Sequence, residues 1–285
     1  MRICRFDNSR LGLVQGDKVL DVSAALDVLP AVRWPFPLGD QLIANLPRVL
    51  ERVRQVAADA PVRKISEVRL LSPVANPSKI VAAPVNYRLH QIESQADKGI
   101  NFGQDIKDIS HYGAFLKSNS SLVGVSEGVA LRKTDRRNDH EAELAVIIGK
   151  HADKVSYDQA LDYVAGYSIA LDMTVRGPED RSLRKSVDTY SVLGPYLVTK
   201  DEVPDPNNLN FWLTVNNEPR QKANTKDLIF NVQKLIEYVT GFYALLPGDI
   251  IMTGTPEGVG PVKAGDLIIS EFEQIGRIEV KVRNA

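Results

Sequence analysis

A chain of 285 residues, 44% hydrophobic and 25% charged, has room for a sizeable core and is neither disordered nor fibrous. Its net charge of -1 supplies no basic stripe for a phosphate backbone, so small molecules are the expected partners and nucleic acid is not. The single cysteine, Cys4, excludes an intramolecular disulfide framework, and no apolar stretch approaches the roughly 20 residues of a membrane span. The opening MRICRFDNSR lacks the apolar core of a secretory signal, and a reducing cytoplasm is the expected location.

In chain order, RICRF, RLGLVQ and KVLDVS alternate like short strands separated by Asn, Asp and Gly, which predicts a hairpin-rich start. LGDQLIANLPRVLERVRQVAADA then places apolar residues at three- and four-residue steps, the pattern of an amphipathic helix that Pro47 should begin or break. Pro73 and Pro77 mark a junction, dividing a small N-terminal domain, 1–72, from a larger domain, 78–285. Beyond it come the apolar runs KIVAAPV, LAVIIG, GYSIALDMTV, NFWLTVN, DIIMTG, DLIISEF and RIEVKV. Two helical stretches interrupt them, SYDQALDYVAG, with Ser156 as N-cap, and TKDLIFNVQKLIEYVTGFYALL. Many strands with few helices predict a mainly β, α+β fold and disfavour a doubly wound nucleotide fold.

The segment HEAELAVIIGK carries the first chemical signal. In an extended strand Ala142, Leu144, Val146 and Ile148 share one face, while Glu141 and Glu143 share the other, which turns apolar at Ala145 and Ile147. Two carboxylates at the mouth of an otherwise buried strand describe either a solvated strand end or a site at the rim of a sheet. Asp172 interrupts another run suited to burial, where an unpaired charge costs several kcal/mol unless it is neutralised, hydrogen-bonded or bound to a cation. Three carboxylates without cysteine or histidine ligand spacing suit Mg²⁺, Mn²⁺ or Ca²⁺ better than zinc.

With HEAELAVIIGK, the segments ALDMTVR, KSVDTYSVLGP and PGDIIMTGTPEGVG stand in an order that resembles the fumarylacetoacetate hydrolase family over residues 78 to 283. The first 70 or so residues are similar to the extra domain of its longer members. The resemblance implies a catalytic domain of mixed β-sheets rolled into a barrel-like core, usually dimeric. It also implies that Glu141, Glu143 and Asp172 hold Mg²⁺ or Mn²⁺, which binds the oxo-carboxylate end of the substrate.

His90 and Glu93 in NYRLHQIES lie three residues apart and share a face of a helical turn, where they can hydrogen-bond. Such a pair is commonly a surface pair; the family resemblance makes it a general base for water, on a lid to which the polar residues 94–113 belong. Lys185 is the candidate electrophile that stabilises a developing enolate. Arg176 suits a bidentate grip on a substrate carboxylate or charge balance for the acidic cluster. Thr253, Gly254 and Thr255 form a Gly-rich turn able to cradle a carboxylate or simply to join strands; without G-K-[ST] it is no P-loop.

GVSEG, residues 124 to 128, matches the G-x-S-x-G of a serine hydrolase with Ser126 as nucleophile, yet the following VALRKTDRRN shows no helix. A non-catalytic metal-binding module explains the carboxylates but not His90, Glu93 and Lys185 together. Gly177, Glu179 and Ser118 depart from the family pattern, where Asp, Gln and Pro are common, and they leave the substrate open. The leading expectation is a metal-dependent hydrolase that cleaves a C–C bond in a β-diketo acid of the acylpyruvate or fumarylacetoacetate type, in aromatic-compound breakdown. An isomerase, tautomerase or decarboxylase of an unsaturated 2-oxo acid is the alternative.

Overall fold

The alternating start folds as a meander in a computed structural model that describes residues 1–285. Arg2–Phe6, Arg10–Gln15 and Lys18–Asp21 pair antiparallel, with Asp7, Ser9 and Gly16 taking positive φ at the turns. Arg2–Phe6 then pairs antiparallel with a distant strand, Ser191–Thr199, with Arg2 opposite Val198. The N-terminal hairpins thereby extend a sheet of 12 strands whose middle runs Ser191–Thr199, Val164–Asp172, Ala142–Ile148, Ile250–Met252 and Ile80–Ala82. The N-terminal layer also keeps an apolar cluster of its own, in which Val49 and Val53 of the helix Leu46–Val56 meet Ile3, Leu11 and Leu13.

The structure is mainly β with mixed sheets and a few helices, but it contains no closed barrel. Val62–Lys64 and Phe115–Lys117 end the large sheet, and Glu218–Asn224 and Val129–Leu131 end a separate five-stranded sheet. The expected roll stays open because the long strands leave the large sheet before they can close it. Val164–Asp172 gives way after Met173 to Thr174–Val175, and Ala142–Ile148 is preceded, across Glu141, by Asn138–His140. Those two short strands pair with each other, Asn138 opposite Val175, in a three-stranded sheet completed by Gly260–Pro261. Two antiparallel neighbours thus change sheets at the same level.

Burial explains the double apolar pattern of Ala142–Ile148. Ala142, Leu144, Val146 and Ile148 enter the main core, whereas Ala145 and Ile147 enter a second core on the sheet's other face with Ile80, Leu193, Ile250 and Met252. A strand covered on both faces has only its end free for polar side chains.

The helices are shorter than their sequence patterns. Pro47 sits in the first turn of Leu46–Val56, where its missing N–H costs nothing, and the preceding turn Gln41–Ala44 is capped by Asp40. Tyr157–Tyr163 is a 3₁₀ helix, and Ser156 precedes it without a side-chain cap, a departure from the expected α-helix. In the long C-terminal pattern only Val232–Thr240 is α-helical, because Asn231 caps its start and Gly241 ends it.

Candidate active site and metal centre

The change of sheet places the acidic side chains. Ala142 is opposite Leu171 and Glu143 opposite Ala170, so Glu141, Glu143 and Asp172 leave the two strands on one face at the point where both break. One carboxylate oxygen from each lies within 4.8 Å of the others, and all three residues are buried. The backbone joins there too, Asp172 N donating to Glu141 O at 2.9 Å.

These carboxylates end a chain of alternating charge. Asp97 meets Arg137 at 2.7 Å, Arg137 meets Asp139 at 2.7 Å, and Asp139 meets Arg176 at 2.8 Å. Arg176 donates to Glu141 at 2.9 Å, Lys185 joins Glu141 at 2.5 Å to Asp172 at 2.7 Å, and Lys117 pairs with the other oxygen of Asp172. Four acids are matched by four bases in this chain. Glu143 is the triad member outside it, and its bond is from the amide of Gly254 at 2.7 Å.

The two glutamates consequently differ. Burial raises both carboxyls, but Lys185 and Arg176 overcome it at Glu141 and hold that group at about 2. At Glu143 burial is reinforced by Asp172 and Glu141, which outweigh Lys185 and push the group well above the ordinary carboxyl range. A buried carboxylate with no cation of its own, converging with two others, is what a hard divalent ion neutralises, and Lys185 already shows that Glu141 and Asp172 accept a shared cation. The residues present fit Mg²⁺ or Mn²⁺.

Lys117 was not singled out by its local sequence, because the carboxylate that requires it lies 55 residues away. It also donates to Tyr190 O at 2.9 Å, and burial lowers its pKa despite Asp172. Breaking a buried pair by removing one partner costs about 3–5 kcal/mol. Lys117→Met is therefore expected to lower the unfolding free energy of the metal-stripped protein by about that amount, read from urea midpoints at constant m.

His90 and Glu93 both lie on the helix Arg88–Ala96, His90 Nδ1 being 3.1 Å from Glu93 Oε2. The pair is anchored from the Gly-rich segment 254–260, since Gly258 N donates to Glu93 Oε1 at 2.9 Å. Gly258 has φ +90°, and a Cβ there would lie 1.9 Å from Arg220 O, so only glycine presents that amide. A cavity of about 60 Å³ is lined by His90, Ser94, Glu141, Glu143, Lys185 and Thr255, with Arg176 on its wall and Ile100 and Ile106 covering it from the 94–113 segment.

The turn 253–255 divides its work. Thr253 donates its hydroxyl to Leu144 O at 3.1 Å and does not line the cavity. Gly254, at φ +98° with no room for a Cβ beside Asn86, turns its amide to Glu143. Thr255 faces the cavity, its hydroxyl accepting from Gln221 Nε2 at 2.8 Å. Arg176 is engaged by Asp139 and Glu141, the charge-balancing arrangement. Ser126 lies in a turn followed by the strand Val129–Leu131 and accepts from Leu70 N at 2.9 Å; with no helix after it there is no nucleophile elbow. Glu179 is gripped by Arg136 through both carboxylate oxygens, at 2.9 and 2.8 Å, outside the cavity lined by Glu141 and Glu143.

Residues 79–283 match the family model for the fumarylacetoacetate (FAA) hydrolase C-terminal domain. The chain belongs to the fumarylacetoacetate hydrolase family. It is 54% identical over 286 residues, spanning both chains fully, to maleylpyruvate hydrolase of Aquipseudomonas alcaligenes. It is 36% identical over 287 residues to the mitochondrial oxaloacetate tautomerase FAHD2A of Homo sapiens, covering 95% of this chain and 87% of that one. Among solved structures, maleylpyruvate hydrolase of Sphingobium sp. SYK-6 in complex with manganese(II) and pyruvate superposes with a TM-score of 0.84 at 37% identity, each chain covered fully. The manganese of that structure and the convergence of Glu141, Glu143 and Asp172 here both support a divalent metal as cofactor. No helix is long and apolar enough to cross a membrane.

Proposed function

We propose that this chain is a divalent-metal-dependent hydrolase that cleaves the C–C bond of an acylpyruvate in aromatic-compound breakdown, with Glu141, Glu143 and Asp172 as ligands of Mg²⁺ or Mn²⁺. The observation that carries the proposal is the shared cavity: His90 lines the same cavity as Glu141, Glu143 and Lys185, and the same maleylpyruvate hydrolase relative spans the full chain. A bound divalent ion supplies Lewis-acid polarisation of the oxo group of a chelating 2-oxo acid.

The remaining work falls to side chains. With Nδ1–H donated to Glu93, His90 keeps the lone pair of Nε2 for a water proton, and the carboxylate fixes the tautomer and orientation of the ring. The water oxygen adds to the distal carbonyl carbon, the bond between that carbon and the pyruvate methylene breaks, and its electron pair passes into the pyruvate enolate. The proton taken by His90 returns to that methylene carbon, giving a carboxylic acid and pyruvate. The Lys185 ammonium stabilises the enolate as charge develops. Thr255 supplies a hydroxyl to the substrate, and Arg176 holds Glu141 in place. Gly254 presents its amide to Glu143, and Thr253 supports the same turn.

Residues 1–72 act as a small domain that shares the sheet of the catalytic domain 78–285, the enzyme works as a cytoplasmic homodimer, and 94–113 serves as a lid. The tautomerase relatives favour a second reading, enolisation of an oxo-diacid at the same metal without attack by water. Turnover of acylpyruvates and oxaloacetate in ¹⁸O-water separates the two. Hydrolysis places ¹⁸O in the carboxylate of the released acid, whereas a shifted double bond with no cleavage product rejects the hydrolase.

A further inference from the structure

A second cavity, of about 230 Å³, adjoins the active site, and Ile100, Ile106, Arg181 and Arg184 line both. The two arginines belong to the short helix Arg181–Lys185, whose last residue is the Lys185 of the metal centre. Neither has a carboxylate partner. Arg184 donates only to carbonyls, Glu179 O at 2.7 Å and Val175 O at 3.2 Å, and Arg181 lies over the ring of Tyr112 with its guanidinium carbon 4.0 Å from the centroid.

The acids along this wall are already used. Glu179 is held by Arg136, and Asp180 caps the helix through Ser182 N at 2.7 Å. Burial and the nearby Arg176 lower the pKa of Arg184, as expected of a guanidinium desolvated without a counter-ion. An unpaired cation in a partly buried wall is costly alone and favourable when a ligand anion completes it.

We propose that Arg181 and Arg184 form a carboxylate subsite at the acyl end, so that the substrate is a dicarboxylate whose 2-oxo acid end lies at the metal and whose terminal carboxylate lies between the two cavities. This rests on the acylpyruvate reading for the orientation of the ligand. Maleylpyruvate, the substrate named for the 54% identical relative, has such an end.

The test uses two seven-carbon 2-oxo acids without a 4-oxo group, which cannot be cleaved: 2-oxoheptanedioate and 2-oxoheptanoate. Calorimetric titration of the Mn²⁺-loaded protein is expected to give at least about tenfold tighter binding of the dioate, the scale of one charge-assisted bond. R181Q and R184Q are each expected to weaken the dioate by about 10–100-fold and to bring the affinity ratio towards one, with R184K recovering part of the preference. Because Arg184 also braces two carbonyls, R181Q, which breaks no hydrogen bond of the fold, guards against a folding defect. Equal affinity of both acids for the unaltered protein, or an unchanged ratio in R181Q, overturns the subsite. Failure of hydrolysis in ¹⁸O-water while the dioate preference persists rejects the reaction and leaves the subsite standing.

Discussion

His90→Ala is expected to lower kcat for acylpyruvate hydrolysis by about 10²–10⁴-fold, the usual contribution of a positioned general base. Metal affinity should stay within a few-fold, because His90 makes its bond to Glu93 and none to the carboxylate triad. Glu93→Gln acts in the same direction by removing the charge that orients the imidazole, and it also loosens the Gly258 anchor. Exchange of the acidic C–H of the substrate with solvent, followed by NMR in deuterated water, survives in both variants, since Lys185 and the metal still stabilise the enolate. Rates of hydrolysis equal to the unaltered enzyme, at saturating metal, would assign His90 and Glu93 to structure.

Stripping the metal should abolish turnover, and Mg²⁺ or Mn²⁺ should restore it. The variant that isolates the reason is Glu143→Gln, because Glu143 is the ligand candidate with no cation of its own. Metal affinity should fall by about 10-fold or more, while the metal-stripped variant gains stability from losing an uncompensated buried charge. The sign follows from the raised carboxyl. At low pH Glu143 is protonated in both folded and unfolded chains; as the pH rises above the ordinary carboxyl range, the unfolded chain ionises first and the fold loses stability. Melting of the stripped protein should therefore drop toward higher pH by about 2–4 °C for each kcal/mol, and Glu143→Gln should flatten that slope. A slope identical in the two proteins, together with activity that survives exhaustive chelation, would remove the metal from the mechanism.

The parts of the site legible in the sequence were those written within one strand or one helical turn. Glu141 and Glu143 obey the two-residue period of a strand, and His90 and Glu93 the three-residue step of a helix, so their shared faces needed no tertiary information. The strand runs after residue 78 could be read for the same reason. Ser191–Thr199 does not read as a strand although it lies mid-sheet, because Gly194 and Pro195 interrupt its apolar pattern in a way that normally marks a turn. Lys117 carried no local sign at all, since the acid that justifies it, Asp172, comes from another strand. The open sheets were hidden for a related reason: where two strands leave one sheet for another depends on their mutual register, which composition does not encode.

The pairing of Arg2–Phe6 with Ser191–Thr199 sets an order of events during synthesis. The N-terminal hairpins emerge from the ribosome first, yet the partner for their inner strand follows almost two hundred residues later, a long interval at about 5–20 residues per second. Arg5 and Phe6 are paired early by Leu70–Leu71, but until then Arg2 and Ile3 present an unpaired strand edge, so a nascent chain halted before residue 191 is expected to bind holding chaperones and to be cut more readily by protease than one that has released residue 199. Since Ser191 also lies opposite Asp172, the arrival of that one strand joins the beginning of the chain to the metal centre in a single cooperative step.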